Sequence, residues 1–272
     1  GCVLLKNEGS LLPLPPSVKV ALIGDFAKTP RYQGAGSSAV NSTKVDSLLG
    51  LIDETDLSLV GYEPGFERHG GKNESRREAA LDLARRADVI LLCLGLDEIA
   101  ESEGAERRSM RLNENQVELA HAVSQVNPNV VVLLSAGSAV ETGWVADARS
   151  VLYCALGGQA GAGAALDVVS GRVNPSGKLA ETWPVRYADV ASAESFPADA
   201  LAAEYREGLY VGYRYYQTAR VPVAYPFGYG LSYTSFSYAD LELSEWDVSF
   251  TLVNDGPRAG TEVAQLYISK PD

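Results

Sequence analysis

The sequence predicts a layered α/β sandwich built on a mostly parallel sheet, followed by a short all-β segment. Three observations carry that expectation. Up to residue 171, short apolar runs alternate with amphipathic helical stretches. The runs are apolar almost throughout, as parallel strands covered on both faces should be. Beyond residue 171 the helical period gives way to aromatic-rich turns, and then to alternating apolar and polar residues.

Taken in order, Lys19-Val-Ala-Leu-Ile-Gly24 reads as a first strand, and residues 89–95, 130–135 and 151–155 read as further buried strands. Residues 74–86 carry Ala79, Leu81 and Leu83 against a charged opposite side and read as a helix. A second helix is expected over 113–126, with Asn113 as a capping residue and Leu119, Val123 and Val126 along one face. Residues 161–169 form a small-residue helix suited to close packing. Asn174-Pro-Ser-Gly-Lys178 reads as a turn, 179–183 runs up to Pro184, and an irregular stretch reaches about residue 204. The Tyr-rich runs 210–216 and 225–233 follow. Residues 246–253 and 261–268 then alternate on either side of Asn254-Asp-Gly256, as the start of a β-sandwich would.

Composition narrows the function classes. The chain has 272 residues, 46% hydrophobic and 21% charged, which is ample for a core. A formal charge of −12 argues against a nucleic-acid partner, whose phosphates are bound by Lys and Arg. No apolar run approaches the roughly 20 residues of a membrane-spanning helix, so no membrane partner is expected. Cys2, Cys93 and Cys154 are an odd, scattered set, and the last two lie in apolar runs. Free buried thiols are expected rather than a disulfide framework or a metal site. His69 and His121 have no Cys/His cluster around them, so no metal and no cofactor is expected. Asn41-Ser-Thr and Asn73-Glu-Ser match the glycosylation acceptor pattern, which is too short to carry weight. The chain starts at Gly1 and stops within a strand-rich segment, and is therefore expected to be a fragment whose compartment the sequence leaves open.

Two loops at expected strand ends carry the chemistry, because ligands of open α/β sheets gather beyond the carboxyl ends of strands. The first, residues 31–38, contains Gly34-Ala-Gly-Ser-Ser-Ala39. A dinucleotide fingerprint would need its first glycine directly after the strand, whereas nine residues separate Gly24 from Gly34. Two readings stay open: a glycine-rich surface turn, or a loop whose backbone approaches a sugar with Ser37 or Ser38 offering a hydroxyl. The second loop, residues 97–107, gathers Asp97, Glu98, Glu101, Glu103 and Glu106. Crowded carboxylates raise the pKa of the most shielded member, which suits a general acid. The same spacing also fits a solvated acidic loop partly neutralised by Arg107, Arg108 and Arg111.

A resemblance separates these readings. Ser102-Glu-Gly-Ala-Glu-Arg107 resembles the acid/base loop of glycoside hydrolase family 3, E-G-x-D-R. In order around it, residues 3–14, 20–24 with 33–37, 174–179 with 182–184, 207–216, 225–234 and 260–268 are similar to the C-terminal region of that family. The resemblance implies a lead-in from a missing (β/α)8 barrel at 1–17 and an α/β sandwich at 18–185. A linker packing on the sandwich follows at 186–235, then a truncated fibronectin type III-like segment at 236–272. It implies a retaining exo-acting β-glycosidase acting on terminal non-reducing β-D-glycosyl residues, with a β-glucoside or oligosaccharide as substrate. The nucleophilic Asp would lie on the barrel of the same polypeptide, so this chain alone should be inactive. By motif position Glu103 is the acid/base, with Glu101 the runner-up; Gly36, Ser37 and Ser38 are expected against substrate. Glu106 and Arg107 are expected as loop support, Glu106 standing where the motif has Asp. The competing expectation is an inactive carbohydrate-binding or regulatory module.

Overall fold

The computed structural model describes residues 1–107, 109–198 and 201–269. The elements follow in chain order. They are β1 (Val3–Asn7), β2 (Lys19–Ile23), α1 (Leu48–Leu51), β3 (Ser58–Glu63), α2 (Glu74–Ala84), β4 (Val89–Gly95) and α3 (Glu114–Val126). Then come β5 (Val130–Ser135), β6 (Ser150–Tyr153), α4 (Gly161–Ser170), β7 (Trp183–Pro184) and α5 (Tyr213–Ala219). Last are β8 (Val223–Tyr225), β9 (Phe236–Leu243) and β10 (Val248–Asn254). Six strands make one sheet in the order β1-β6-β5-β4-β2-β3. Every pairing in it is parallel except β1 with β6. The expected α/β sandwich is therefore present.

Every residue of β4 is buried, as expected of a central strand covered on both faces. Helix α2 packs on β2, β3 and α3, and α1 packs on α4. Asn73 caps α2 by accepting the Arg76 N–H at 3.1 Å, whereas the Asn113 side chain makes no cap to α3. At the end of β4, fully buried Gln116 donates to the Gly95 carbonyl and accepts its N–H, both at 2.9 Å. A side chain thus satisfies main-chain groups that a strand would otherwise serve.

Several expectations need correcting. Residues 1–17 are more than a lead-in, since β1 adds an edge strand to the sheet. Its outer side is covered in turn where Leu231 donates to the Leu4 carbonyl at 2.8 Å. Strand β3 and helix α5 were not expected, and residues 154–155 lie beyond β6. The alternating segments 246–253 and 261–268 do not pair. Instead β10 pairs antiparallel with β9 through the turn at residues 244–247, where Asp247 N–H donates to Ser244 Oγ. Residues 261–268 form no strand, and most of their side chains are exposed; two of them make contacts with the preceding chain. Glu262 pairs with Lys178 at 3.0 Å, and Tyr267 meets the Tyr213 ring edge-on at 5.6 Å. Cys2, Cys93 and Cys154 are free thiols; Cys93 is buried and the other two are half-buried.

The returning segment is fixed by aromatic packing. Trp183 is fully buried between Tyr153, at 5.0 Å, and Tyr225, at 6.0 Å. Tyr233 donates to the Val168 carbonyl at 2.8 Å, and Asn174 accepts from Ser232 and from the Tyr233 N–H. These contacts press residues 225–233 against the edge of the main sheet.

Candidate active site

The chain order of the strands reverses at β2. The chain moves from β2 outward to β3, then returns to the other side for β4, β5 and β6. Loops leaving β2 and β4 therefore diverge at a topological switch point, where open α/β sheets bind ligands. Both loops singled out in the sequence lie there. Gly24 begins the first of them at φ +116°, and a Cβ on it would stand 2.2 Å from the Cys93 carbonyl oxygen. Only glycine lets the chain turn that close to β4.

The loops meet at a single parallel bridge between Ala35 and Ser102, with Glu103 N–H donating to the Ala35 carbonyl at 3.2 Å. That bridge brings Glu103 onto Ser37. The Ser37 N–H donates to Glu103 Oε2 at 2.6 Å, and the Ser37 hydroxyl donates to the same oxygen. These two donors, the hydroxyl foremost, hold the Glu103 carboxyl below the usual carboxylate range. Gly36 allows the approach, with φ +98° and its Cα so close that a Cβ would lie 2.5 Å from Glu103 Cβ.

Other carboxylates of the acidic loop are spent on structure. Buried Asp97 accepts the Ile99 and Ala100 N–H groups at 3.0 and 2.8 Å and meets His69 Nδ1 at 3.0 Å. Glu98 receives Arg68 through both carboxylate oxygens, at 2.6 and 3.1 Å. Burial works its carboxyl upward, but Arg68 outweighs that and leaves it below its ordinary value. Glu101 turns away from the crevice, accepting from Gly137 N–H at 2.8 Å and Ser138 Oγ at 2.5 Å. Arg107 donates to the same Ser138 hydroxyl at 2.5 Å and stands 3.8 Å from Glu101. Glu103 and Glu106 are left exposed, and of the two it is Glu103 that faces the β2 loop.

Among the expected site residues, then, the fold joins Gly36, Ser37 and Glu103. Ser38 is adjacent but its hydroxyl lies over Gly34, where a Cβ would be 2.8 Å away. Arg107 anchors the loop to the β5 end through Ser138, and its ion pair is with Glu101 rather than Glu106. Arg108 lies outside the described residues. Sequence reasoning missed two bridging arginines. Arg31 donates to the carbonyls of Gln33 and of Glu101, the latter at 2.9 Å. Arg68 joins Asp25 and the Thr29 carbonyl in the β2 loop to Glu98 in the β4 loop, and stacks over Phe26 at 4.5 Å. No group of three or more His, Cys, Asp or Glu among the described residues could hold a metal ion.

Comparison with known proteins gives this geometry a context. Residues 2–233 match the glycosyl hydrolase family 3 C-terminal domain. The chain is 44% identical, over 98% of its length, to thermostable beta-glucosidase B of Acetivibrio thermocellus, and 38% identical to an exo-alpha-(1->6)-L-arabinopyranosidase of Bifidobacterium longum. It spans 37% of the length of each. The crystal structure of a Bifidobacterium adolescentis GH3 beta-glucosidase superposes with a TM-score of 0.88 at 41% identity, covering 94% of this chain and 38% of that one.

Proposed function

The chain belongs to glycosyl hydrolase family 3, and from that premise we propose that it supplies Glu103 as the general acid/base of a retaining β-glycosidase. The remainder of the active site, including a nucleophilic Asp, would come from a barrel domain of the same polypeptide. The chain's coverage of little more than a third of its relatives' length supports this division. So does the exposure of Glu103, since a catalytic carboxyl that works across a domain interface must be open on the side that receives the partner.

In the first step the barrel carboxylate attacks the anomeric carbon while protonated Glu103 gives its proton to the departing glycosidic oxygen. In the second, Glu103 as carboxylate takes a proton from the water that releases the sugar. The two carboxyl groups of such a pair stand about 5–5.5 Å apart, so the β2 and β4 loops would sit directly over the barrel mouth. Terminal β-D-glucosyl residues are the favoured substrate, with the sugar chosen mainly by the barrel. Without that domain the chain would not turn over substrate. The single observation that carries the assignment is the Ser37–Glu103 contact at the switch point, with Glu101 already consumed by Gly137 and Ser138.

The test is Glu103→Ala in the full-length polypeptide. General acid help is worth about 10²–10⁴-fold, so kcat/KM for cellobiose should fall within that range. For a dinitrophenyl β-glucoside, whose leaving group needs no proton, kcat/KM should hold while kcat falls, and azide should restore kcat. Equal, unrescued loss on both substrates would remove Glu103 from this role.

A further inference from the structure

We propose that Arg31 is a positioning residue for the acid/base carboxyl, fixing the spacing between the β2 and β4 loops so that Glu103 meets its substrate at one geometry. The inference rests on the acid/base reading of Glu103. Its basis is where the guanidinium sits and what it holds.

Arg31 is 4% exposed, and it is the buried cation at the junction of the two loops. Its protein contacts are main-chain carbonyls: Nη1 donates to Gln33 and Nη2 to Glu101. Gln33 lies two residues before Ala35, and Glu101 lies one before Ser102, the two partners of the bridge. One planar group therefore grips the chain just upstream of the bridge on both loops. Among the described residues no carboxylate pairs directly with Arg31, although Glu98 lies near enough to feel its charge. Burying a cation without an ion-pair partner is costly. A surface turn has no use for such an arrangement, whereas a site that needs fixed loop spacing does.

The neighbouring anchors leave this task to Arg31. Arg68 ties Asp25, Thr29 and Glu98, which lie nearer the strand ends. Glu101, through Gly137 and Ser138, fixes the β4 loop to β5 and not to β2. Past these anchors, the bridge itself has one hydrogen bond from Glu103 N–H to the Ala35 carbonyl, at 3.2 Å. If the loops slide, Gly36 and Ser37 move relative to Glu103, and the carboxyl loses its orientation toward the leaving-group oxygen.

The fork geometry matters as well as the charge. A guanidinium presents fixed, diverging N–H groups to two carbonyls at once, which an ammonium on a flexible stem does not reproduce. The experiment is therefore Arg31→Lys in the full-length polypeptide, with Arg31→Gln as the second variant and Glu103→Ala in parallel. Misplacing a catalytic group by about 1 Å costs roughly 10²-fold, so kcat/KM for cellobiose should fall about 10–100-fold in both Arg31 variants. For the dinitrophenyl glucoside kcat/KM should fall by less than about threefold, because that cleavage needs no acid. A structural residue would not move this ratio. Equal loss on both substrates, a lowered melting temperature with the ratio unchanged, or failure of both variants to fold would each overturn the proposal. If Glu103→Ala shows the leaving-group dependence and the Arg31 variants do not, the positioning role alone fails. If Glu103→Ala lacks it, the acid/base reading fails first.

Discussion

Substituting Gly36 by alanine puts the loop contact under direct strain. The new Cβ would stand 2.5 Å from Glu103 Cβ and 2.9 Å from Glu103 Oε2. Non-bonded carbons rest at about 3.5–4.0 Å, so the glutamate or the glycine loop must give way by about 1 Å or more. Residue 36 also sits at φ +98°, where a side chain adds strain on the order of 1–3 kcal/mol. Gly36, Ser37 and Glu103 are all exposed, so this part of the loops can relax at limited cost to global stability. The Glu103 carboxyl is displaced in the process, and a shift of about 1 Å is worth roughly 10²-fold in rate. The expected result in the full-length polypeptide is a loss of about 100-fold in kcat/KM for cellobiose, a far smaller loss for a dinitrophenyl β-glucoside, and a melting temperature within a few degrees of the parent. Cellobiose hydrolysis within about threefold of the parent would refute the close Gly36–Glu103 packing as a determinant of the acid's position.

Two further substitutions test other parts of the structure. Gln116→Leu strips the hydrogen-bond partner from both main-chain groups of Gly95, and at about 1–3 kcal/mol for each buried group left unsatisfied the fold should lose about 2–6 kcal/mol. Chemical denaturation would measure this, and an unchanged midpoint would contradict the geometry at the end of β4. Glu181→Gln should raise the melting temperature at pH 7 and change it little at pH 4. Partial desolvation raises the Glu181 carboxyl first of all, with Glu101 adding to it, against the opposing pull of a main-chain hydrogen bond at Ala139 and of Arg107. Because the residue is largely exposed, solvent screening keeps the expected change small. A carboxyl raised on folding stabilises while protonated: its contribution is whole below the unfolded value near about 4.3 and is lost as pH rises through the folded value. Thermal melts at the two pH values decide it, and destabilisation at pH 7 would mean that the Arg107 attraction outweighs desolvation.

What could be read beforehand depended on how local the cause was. Strands β2, β4 and β5 announce themselves because burial on two faces demands near-continuous apolar runs. Strand β3 escaped because it is an edge strand of half-exposed residues, Ser58-Leu-Val-Gly-Tyr-Glu63, with no clean period. Strand β1 escaped for a different reason, since its partner β6 lies some 145 residues away and nothing in the sequence near Val3 specifies that pairing. A motif singles out Glu103 and Ser37, although composition alone leaves the acidic loop ambiguous, and the contact between them is what the fold adds. Arg31 and Arg68 were not, because each is defined by the carbonyls and carboxylates that the fold brings to it. In a sequence, a single arginine after a strand reads as a surface charge.

The state of Glu103 in this chain bears on how such a site divides its labour. A general acid must hold a proton, yet two donors from Ser37 favour the carboxylate and outweigh the slight desolvation that opposes them on the open face. Within the chain, therefore, Glu103 is prepared for the second half of the proposed reaction, in which a carboxylate draws a proton from water. The first half needs the opposite bias. A second carboxylate about 5–5.5 Å away and exclusion of water would both push the Glu103 carboxyl upward. On the proposed reading both come from the domain that docks over the β2 and β4 loops. Formation of the glycosyl-enzyme then removes the neighbouring negative charge, and the Ser37 donors again favour the carboxylate as water enters. On the proposed reading, the donors on this chain and the charge across the interface would act in alternation, the Ser37 donors favouring the carboxylate and a docked carboxylate favouring the acid.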